Sequence, residues 1–409
     1  MFHATVHLPG SKSITNRAHI LNFLSPIPAQ LHNALASEDT ERMLDCIQKI
    51  QNRSPSATDL FVGNSGTTIR FILPTLLHHP GIYRVDGVPR MRQRPIASLI
   101  HALRQLGATI TCLQKPDALP LQIHTHPTTA TTADTATIDV EQTSQFLSGL
   151  LMALPIAPQP RFTLYLSGQL QSQPYIETTL RMMTQFGLPK LPQYDRATHA
   201  YLISGNQQYH PPTDYFIEPD ASAASYFMAL AAIHPGSSVT LPGLTPHSLQ
   251  GDVAFAQLLA QMGANVDYSS DALHVKGTAT LCGIDADMNA ISDTVMTLAA
   301  IAPLASSPTT IRNVAHIRLK ESDRITATAT ELRKLGVTVE EFPDGLRIHP
   351  ATELKPAAIE TYDDHRIAMA FAILGTRHSG LRLSNPRCVA KTFPDFFAVL
   401  EKTLRQGSG

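Results

Sequence analysis

Residues 138–154 read IDVEQTSQFLSGLLMAL: a short run of strand character, a polar loop, then a helix of Leu, Gly, Met and Ala. One such segment fits many folds, but this one recurs six times, and an internal repeat constrains the architecture more than any single element. The other copies are VHLPGSKSITNRAHILNFL (6–24), LFVGNSGTTIRFILPTLL (60–77), FIEPDASAASYFMALAA (216–232), IDADMNAISDTVMTLAA (284–300) and IETYDDHRIAMAFAIL (359–374). Their loop residues Lys12, Asn64, Ser144, Asp220, Asp293 and Asp364 stand 52, 80, 76, 73 and 71 residues apart.

A second pattern fills the space between copies four times: a strand, a polar loop, an amphipathic helix, a glycine turn and another strand. It starts at Tyr83, Phe162, Val239 and Thr310, and its turn glycines are Gly107, Gly187, Gly263 and Gly336. Glycine just past a helix is the usual left-handed terminator. The two patterns together make a βαβαββ-like unit, too long for a solenoid repeat. Six units divide naturally into two domains of three. In each unit the Ala/Leu-rich helix should be buried all round, and the amphipathic one should lie outside. Pro211 and Pro212 are expected to mark the crossover.

The chain has 409 residues, 43% hydrophobic and 16% charged, with net charge −1. That balance supplies no global basic field for nucleic acid or an anionic membrane. No apolar run reaches the ~18–20 residues that span a bilayer, so Phe146–Ala157 is expected to be a buried helix. The N-terminus lacks the pattern of a signal peptide. Cys46, Cys112, Cys282 and Cys388 form no C-x-x-C pair, so each is expected to be a small buried apolar residue, with no disulfide and no metal. The final Gly407-Ser408-Gly409 reads as a frayed tail. These features predict a cytoplasmic protein.

The loops carry the chemistry. Lys12, Ser13, Asn64, Ser144 and Asp293 are expected just ahead of helices, whose first N–H groups and positive dipole ends receive anions. Any one of these residues could be only a helix cap. Basic residues stand with them: Lys12 and Arg17 in PGSKSITNR, Arg94 in PRMRQRP, Lys320 and Arg324 in IRLKESDR, Arg366 in DDHR and Lys391 in AKTFPDFF. In a chain of net charge −1 such clusters need a partner. The spacing of a nucleotide-binding P-loop is absent, and so is G-x-G-x-x-G. Arg forks suit carboxylate or phosphate, and Lys adds a point charge able to move protons.

LPGSKSITNRA (8–18), GNSGTTIR (63–70), DGVPRMRQRPI (86–96), TSQFLSGLLMALP (143–155), PDASAASYF (219–227), KESDRI (320–325), DDHRIAMA (363–370) and KTFPDFF (391–397) together resemble the 5-enolpyruvylshikimate-3-phosphate synthase family of enolpyruvyl transferases. The resemblance implies an α/β fold of two globules, an inside-out α/β barrel in each, with a cleft between them. It places residues 1–10 with 219–409 in one globule and 11–218 in the other. It implies transfer of the enolpyruvyl group of phosphoenolpyruvate to the 5-hydroxyl of shikimate 3-phosphate, with no cofactor, by a monomer. Carried over by motif, Lys12, Ser13, Arg17, Thr143, Ser144, Gln145, Ser172, Tyr175, Asp293, His316 and Lys320 contact shikimate 3-phosphate. Lys12, Asn64, Gly66, Arg94, Gln145, Arg324, Arg366 and Lys391 form the phosphoenolpyruvate site. Lys12, Asp293, Glu321 and Lys391 are the catalytic candidates. Thr143 stands where the family often has Ser, Gln173 where it often has Lys, and His316 where it often has Asn.

Two substrates, each with a phosphate and a carboxylate, bring roughly −5 to −6 charges. The seven cations Lys12, Arg17, Arg94, Lys320, Arg324, Arg366 and Lys391 nearly match them. Two other readings compete. A UDP-N-acetylglucosamine enolpyruvyl transferase is expected to have Lys-Asn at 12–13 and a cysteine in the PRMRQRP loop; this chain has neither. A non-catalytic phosphometabolite-binding protein should have lost the acid–base positions, which are all present.

Overall fold

The computed structural model describes residues 1–53, 56–126 and 133–406; the Gly407-Ser408-Gly409 tail lies outside the described residues. The chain divides into two compact units. A continuous unit runs from Lys12 to Ile217, and a split unit joins Met1–Ser11 to Glu218–Gly409. The crossings therefore fall after Ser11 and after Ile217. Pro211 and Pro212 lie inside the continuous unit, ahead of the strand Asp214–Phe216.

Among the described residues each unit holds two four-stranded sheets and one two-stranded sheet. In the continuous unit one sheet runs Thr58–Phe61, Gly81–Asp86, Leu121–Thr125, Thr109–Cys112. Its first pair is parallel and the others are antiparallel. The order first-second-fourth-third recurs in all four large sheets. A parallel pair needs a helical crossover, which the buried helix provides; the antiparallel strands need only a turn beyond the amphipathic helix. Strands such as Arg161–Ser167 alternate exposed and buried residues, as a sheet with one wet face must. The four turn glycines have φ of 96°, 70°, 102° and 84°, in the left-handed region expected of them.

Two strands at sheet edges expose an exchange. His3–Thr5 precedes the first buried helix, yet it pairs in parallel with Ser238–Pro242 of the split unit. Asp214–Phe216 precedes the helix Ala221–Ile233, yet it pairs with Gln30–His32 of the continuous unit. Each crossing strand fills the place that the other vacates.

The Ala/Leu-rich helices form the cores. All residues of Gly66–Thr75, Ala221–Ile233 and Val295–Ile301 are buried, and Gln145–Ala153 is buried except at its first residue. In the split unit Ala221–Ile233, Val295–Ile301 and His365–Gly375 pack on one another as a trio. In the continuous unit Gly66–Thr75 packs on both Lys12–Phe23 and Gln145–Ala153. The cysteines depart from expectation: only Cys46 is buried, Cys112 and Cys388 are half-buried, and Cys282 is exposed. Periodicity fixes where apolar faces lie, but a single cysteine at a strand end, in a 3-10 helix or in a loop carries no such signal.

Candidate active-site residues in each unit

Helix Lys12–Phe23 begins at Lys12 itself, and Ser13 lies inside its first turn rather than ahead of it. Lys12 Nζ lies 3.2 Å from Oδ2 of Asp39, a buried carboxylate on the helix Glu38–Gln51. The hydroxyl of Thr68 donates to the Asp39 carbonyl (3.2 Å) and to Ser65 Oγ (2.7 Å), tying that helix to the start of Gly66–Thr75.

Arg17 is buried, and each of its nitrogens donates to protein. Nε reaches Thr179 Oγ1 (2.8 Å), Nη1 the Ser13 hydroxyl (2.5 Å) and carbonyl (3.1 Å), and Nη2 the Tyr175 carbonyl (3.1 Å). Its guanidinium carbon sits 5.1 Å from the centre of the Phe71 ring, and burial lowers its pKa to about 10. In this arrangement Arg17 fixes Ser13 and Tyr175. Ser172, whose carbonyl accepts the Tyr175 N–H, is itself left-handed with φ 53°.

Gly66 shows why a residue without a side chain belongs beside the cations. A Cβ there would lie 2.5 Å from Arg94 Nη2 and 3.1 Å from Arg70 Nη1. Arg94 Nη1 donates to the Asn64 carbonyl (2.9 Å), and Arg70 Nη1 donates to Gln145 Oε1 (2.7 Å). The Gln145 N–H in turn donates to Thr143 Oγ1 (3.2 Å). Ser144 occupies the cap position of Gln145–Ala153 without a side-chain cap bond, whereas Ser65 does cap its helix. Asn64, Gly66, Arg94, Thr143 and Gln145 are thus joined in the continuous unit through Arg70, a residue the motif contains but sequence reasoning did not single out.

The split unit holds the remaining candidates. Asp293 lies within the 3-10 helix Asn289–Thr294, not ahead of it. Its carboxylate takes Arg324 Nη1 on one oxygen (3.0 Å) and Arg366 Nη2 on the other (2.6 Å). Arg324 also bonds Asp364 (2.9 Å) and Glu321 (2.9 Å). Burial pulls the Arg324 pKa down, but the carboxylates Asp364, Glu321 and Asp293 outweigh it and raise the pKa above its ordinary value. Asp364 caps the helix His365–Gly375 by accepting the Arg366 N–H (3.0 Å). His316 is driven down to about 3 by burial and then by Lys320, against Asp293, so its imidazole is neutral and can only hydrogen-bond. Lys391 ends the 3-10 helix Pro386–Lys391, buried and packed against His365–Gly375.

Three of the seven expected cations therefore come with carboxylates of their own: Asp39 on Lys12, and Asp293, Glu321 and Asp364 around Arg324 and Arg366. The expected near-match of charge omitted these groups. Asp252, also unassigned from sequence, lies buried in the turn Gly251–Ala254 and accepts a hydrogen bond from the Ser222 hydroxyl. Burial, then the charge of Asp293, pushes its carboxyl up to about 7. Among the described residues no group of His, Cys, Asp and Glu is arranged to hold a metal ion, and no helix is long and apolar enough to cross a membrane.

A family model described as EPSP synthase (3-phosphoshikimate 1-carboxyvinyltransferase) matches residues 2–400. The chain belongs to the EPSP synthase family. The 3-phosphoshikimate 1-carboxyvinyltransferase of Nostoc punctiforme is 44% identical over 423 aligned positions, covering 98% of this chain and 97% of that one. The enzyme of the same name from Idiomarina loihiensis is 41% identical, covering 97% and 96%. A solved structure of EPSP synthase from Acinetobacter baumannii superposes with a TM-score of 0.78 at 24% identity, covering 98% of this chain and 96% of that one, which supports the same two-globule α/β fold. The family is one of transferases, so the chain is an enzyme of that class.

Proposed function

We propose that the chain transfers the 1-carboxyvinyl group of phosphoenolpyruvate to the 5-hydroxyl of shikimate 3-phosphate, with ligands drawn from both units. The observation that carries the reading is Asp293, a carboxylate gripped by two guanidiniums, one of which also holds Glu321. Such an arrangement fixes a base where anionic substrates are received.

In the proposed reaction a proton is delivered to C3 of phosphoenolpyruvate, and the 5-hydroxyl oxygen attacks C2 as that carbon becomes cationic. A tetrahedral ketal results. Loss of a C3 proton and cleavage of the C2–O bond to phosphate give the enol ether and inorganic phosphate. Proton gain and loss at one carbon call for an acid and a base in one place. Glu321 and Lys391 are assigned to C3, and Asp293 and Lys12 to the 5-hydroxyl proton. Arg94, Arg324, Arg366 and Lys391 meet phosphoenolpyruvate with Asn64 and Gly66. Thr143, Ser144, Ser172 and Lys320 meet shikimate 3-phosphate with Ser13, Tyr175 and neutral His316; Gln145 lies between the substrates, and Arg17 holds Ser13 and Tyr175. Arg324 already serves three carboxylates, so an incoming anion competes with them for its N–H groups. The proposal includes a cytoplasmic, monomeric enzyme.

Purified protein mixed with both substrates should release phosphate stoichiometrically with the enol ether. Release only when UDP-N-acetylglucosamine replaces shikimate 3-phosphate would move the assignment to the rival transferase. Binding of both substrates without turnover would make the protein a sensor.

A further inference from the structure

Helix Arg324–Lys334 grips the segment 360–364 at two places on one face. At its start Arg324 Nε bonds Asp364 Oδ2 (2.9 Å), and Ser322 Oγ donates to the same oxygen (3.0 Å). Seven residues on, two turns along the same face, stands Glu331. Its fully buried carboxylate accepts the Tyr362 hydroxyl (2.6 Å), the Glu360 N–H (3.0 Å) and the Lys334 ammonium (2.7 and 2.8 Å). A buried carboxylate is tolerated only when so many donors surround it.

Between these anchors Tyr362 and Asp363 are both left-handed, with φ of 53° and 54°. Residues with side chains rarely adopt that conformation, and two in succession persist only where the surroundings impose them. The far side of the turn is tied as well. Asn385 Nδ2 donates to Asp363 Oδ1 (3.2 Å), and the Thr361 N–H donates to Ser384 Oγ (3.3 Å). Asn385 leads directly into Pro386–Lys391. Three proposed substrate-site elements thus meet at one turn: the Arg324 helix, the helix that carries Arg366, and the segment that ends at Lys391.

We propose that Glu331 is a positioning residue that holds the turn 361–363 in its left-handed form and so aims Arg366 at the anionic end of phosphoenolpyruvate. This rests on the function proposed above. With the anchor weakened, the turn relaxes toward ordinary φ, and Asp364, which caps the Arg366 helix, shifts with it. Shikimate 3-phosphate draws most of its proposed ligands from the continuous unit, so its binding should be spared.

The test compares wild type with Glu331→Gln, which turns one acceptor into a donor, and with Tyr362→Phe, which removes a single donor and leaves the carboxylate. Both variants should raise the KM for phosphoenolpyruvate about tenfold, with kcat changed less than about threefold and the KM for shikimate 3-phosphate unchanged. Thermal melting read by circular dichroism checks folding; should Glu331→Gln not fold, Tyr362→Phe decides. An unchanged phosphoenolpyruvate KM in the folded variants overturns the proposal. So does a parallel rise in both KM values, which would make the contact merely structural. A wild type that releases no phosphate would instead overturn the functional reading itself.

Discussion

At the scale of single residues, close approach and burial govern what each group can do. Gly66 is the sharpest case, because a methyl group there would press on Arg94 Nη2 from 2.5 Å. Gly66→Ala should displace that guanidinium, raising the KM for phosphoenolpyruvate tenfold or more while leaving kcat within a few-fold; steady-state kinetics in both substrates check it. Asp252 offers a pH test. Its carboxyl is raised by burial and then by Asp293 to about 7, against ~3.9 in an unfolded chain. Between those values the folded state holds a proton that the unfolded state has lost, so this group makes stability fall as pH rises from about 4 to 7 and level off beyond. Asp252→Asn should flatten the decline in melting temperature between pH 5 and 8. An unchanged slope would refute the raised carboxyl. Neither Asp252 nor Asp39 was legible beforehand, because an acid in a helix-start motif reads as an ordinary dipole partner until a cation or a second carboxylate is seen beside it.

At the scale of elements, helix type followed from periodicity, and helix contact did not. Uniformly apolar segments such as ASAASYFMALAAI could only be buried, and Ala221–Ile233 is buried throughout. What no pattern disclosed is how near the helices come. Gly149, inside Gln145–Ala153, lies so close to Gly66–Thr75 that a Cβ would stand 2.4 Å from the Arg70 carbonyl oxygen. A backbone atom cannot swing aside as a side chain can. Gly149→Ala should therefore cost about 2 kcal/mol of stability despite its better helix propensity, and it should also disturb the Arg70–Gln145 bond. Denaturant titration measures the first and the phosphoenolpyruvate KM the second; a gain in stability would contradict the close packing.

At the scale of the whole molecule, the exchange of edge strands makes the two units unequal in independence. The continuous unit contains both strands of its small sheet, Gln30–His32 and Asp214–Phe216. The split unit depends on the N-terminal segment, where His3–Thr5 forms a sheet edge and Phe2, Ala4, Val6 and Leu8 are buried in the core. A fragment of residues 12–217 should fold alone, with dispersed amide resonances. A fragment of residues 218–409 should be molten until a peptide of residues 1–11 is added, since it leaves a core face and a ladder of backbone groups uncovered. Cooperative folding of the second fragment without the peptide would show that the strand is dispensable.

The sequence by itself determined the sixfold repeat, the alternation of buried and amphipathic helices, the glycine-terminated turns and the cations Lys12, Arg324 and Arg366 at helix starts. Each of these depends on spacing along the chain, which folding does not alter. Only the tertiary structure decided that Arg17 is spent on Ser13, Tyr175 and Thr179, that Arg324 and Arg366 share Asp293, and that Glu331 braces a turn about thirty residues away. These partners are distant in sequence, and a charge or hydroxyl shows its partner only once packing has excluded water and left it a single neighbour to bond.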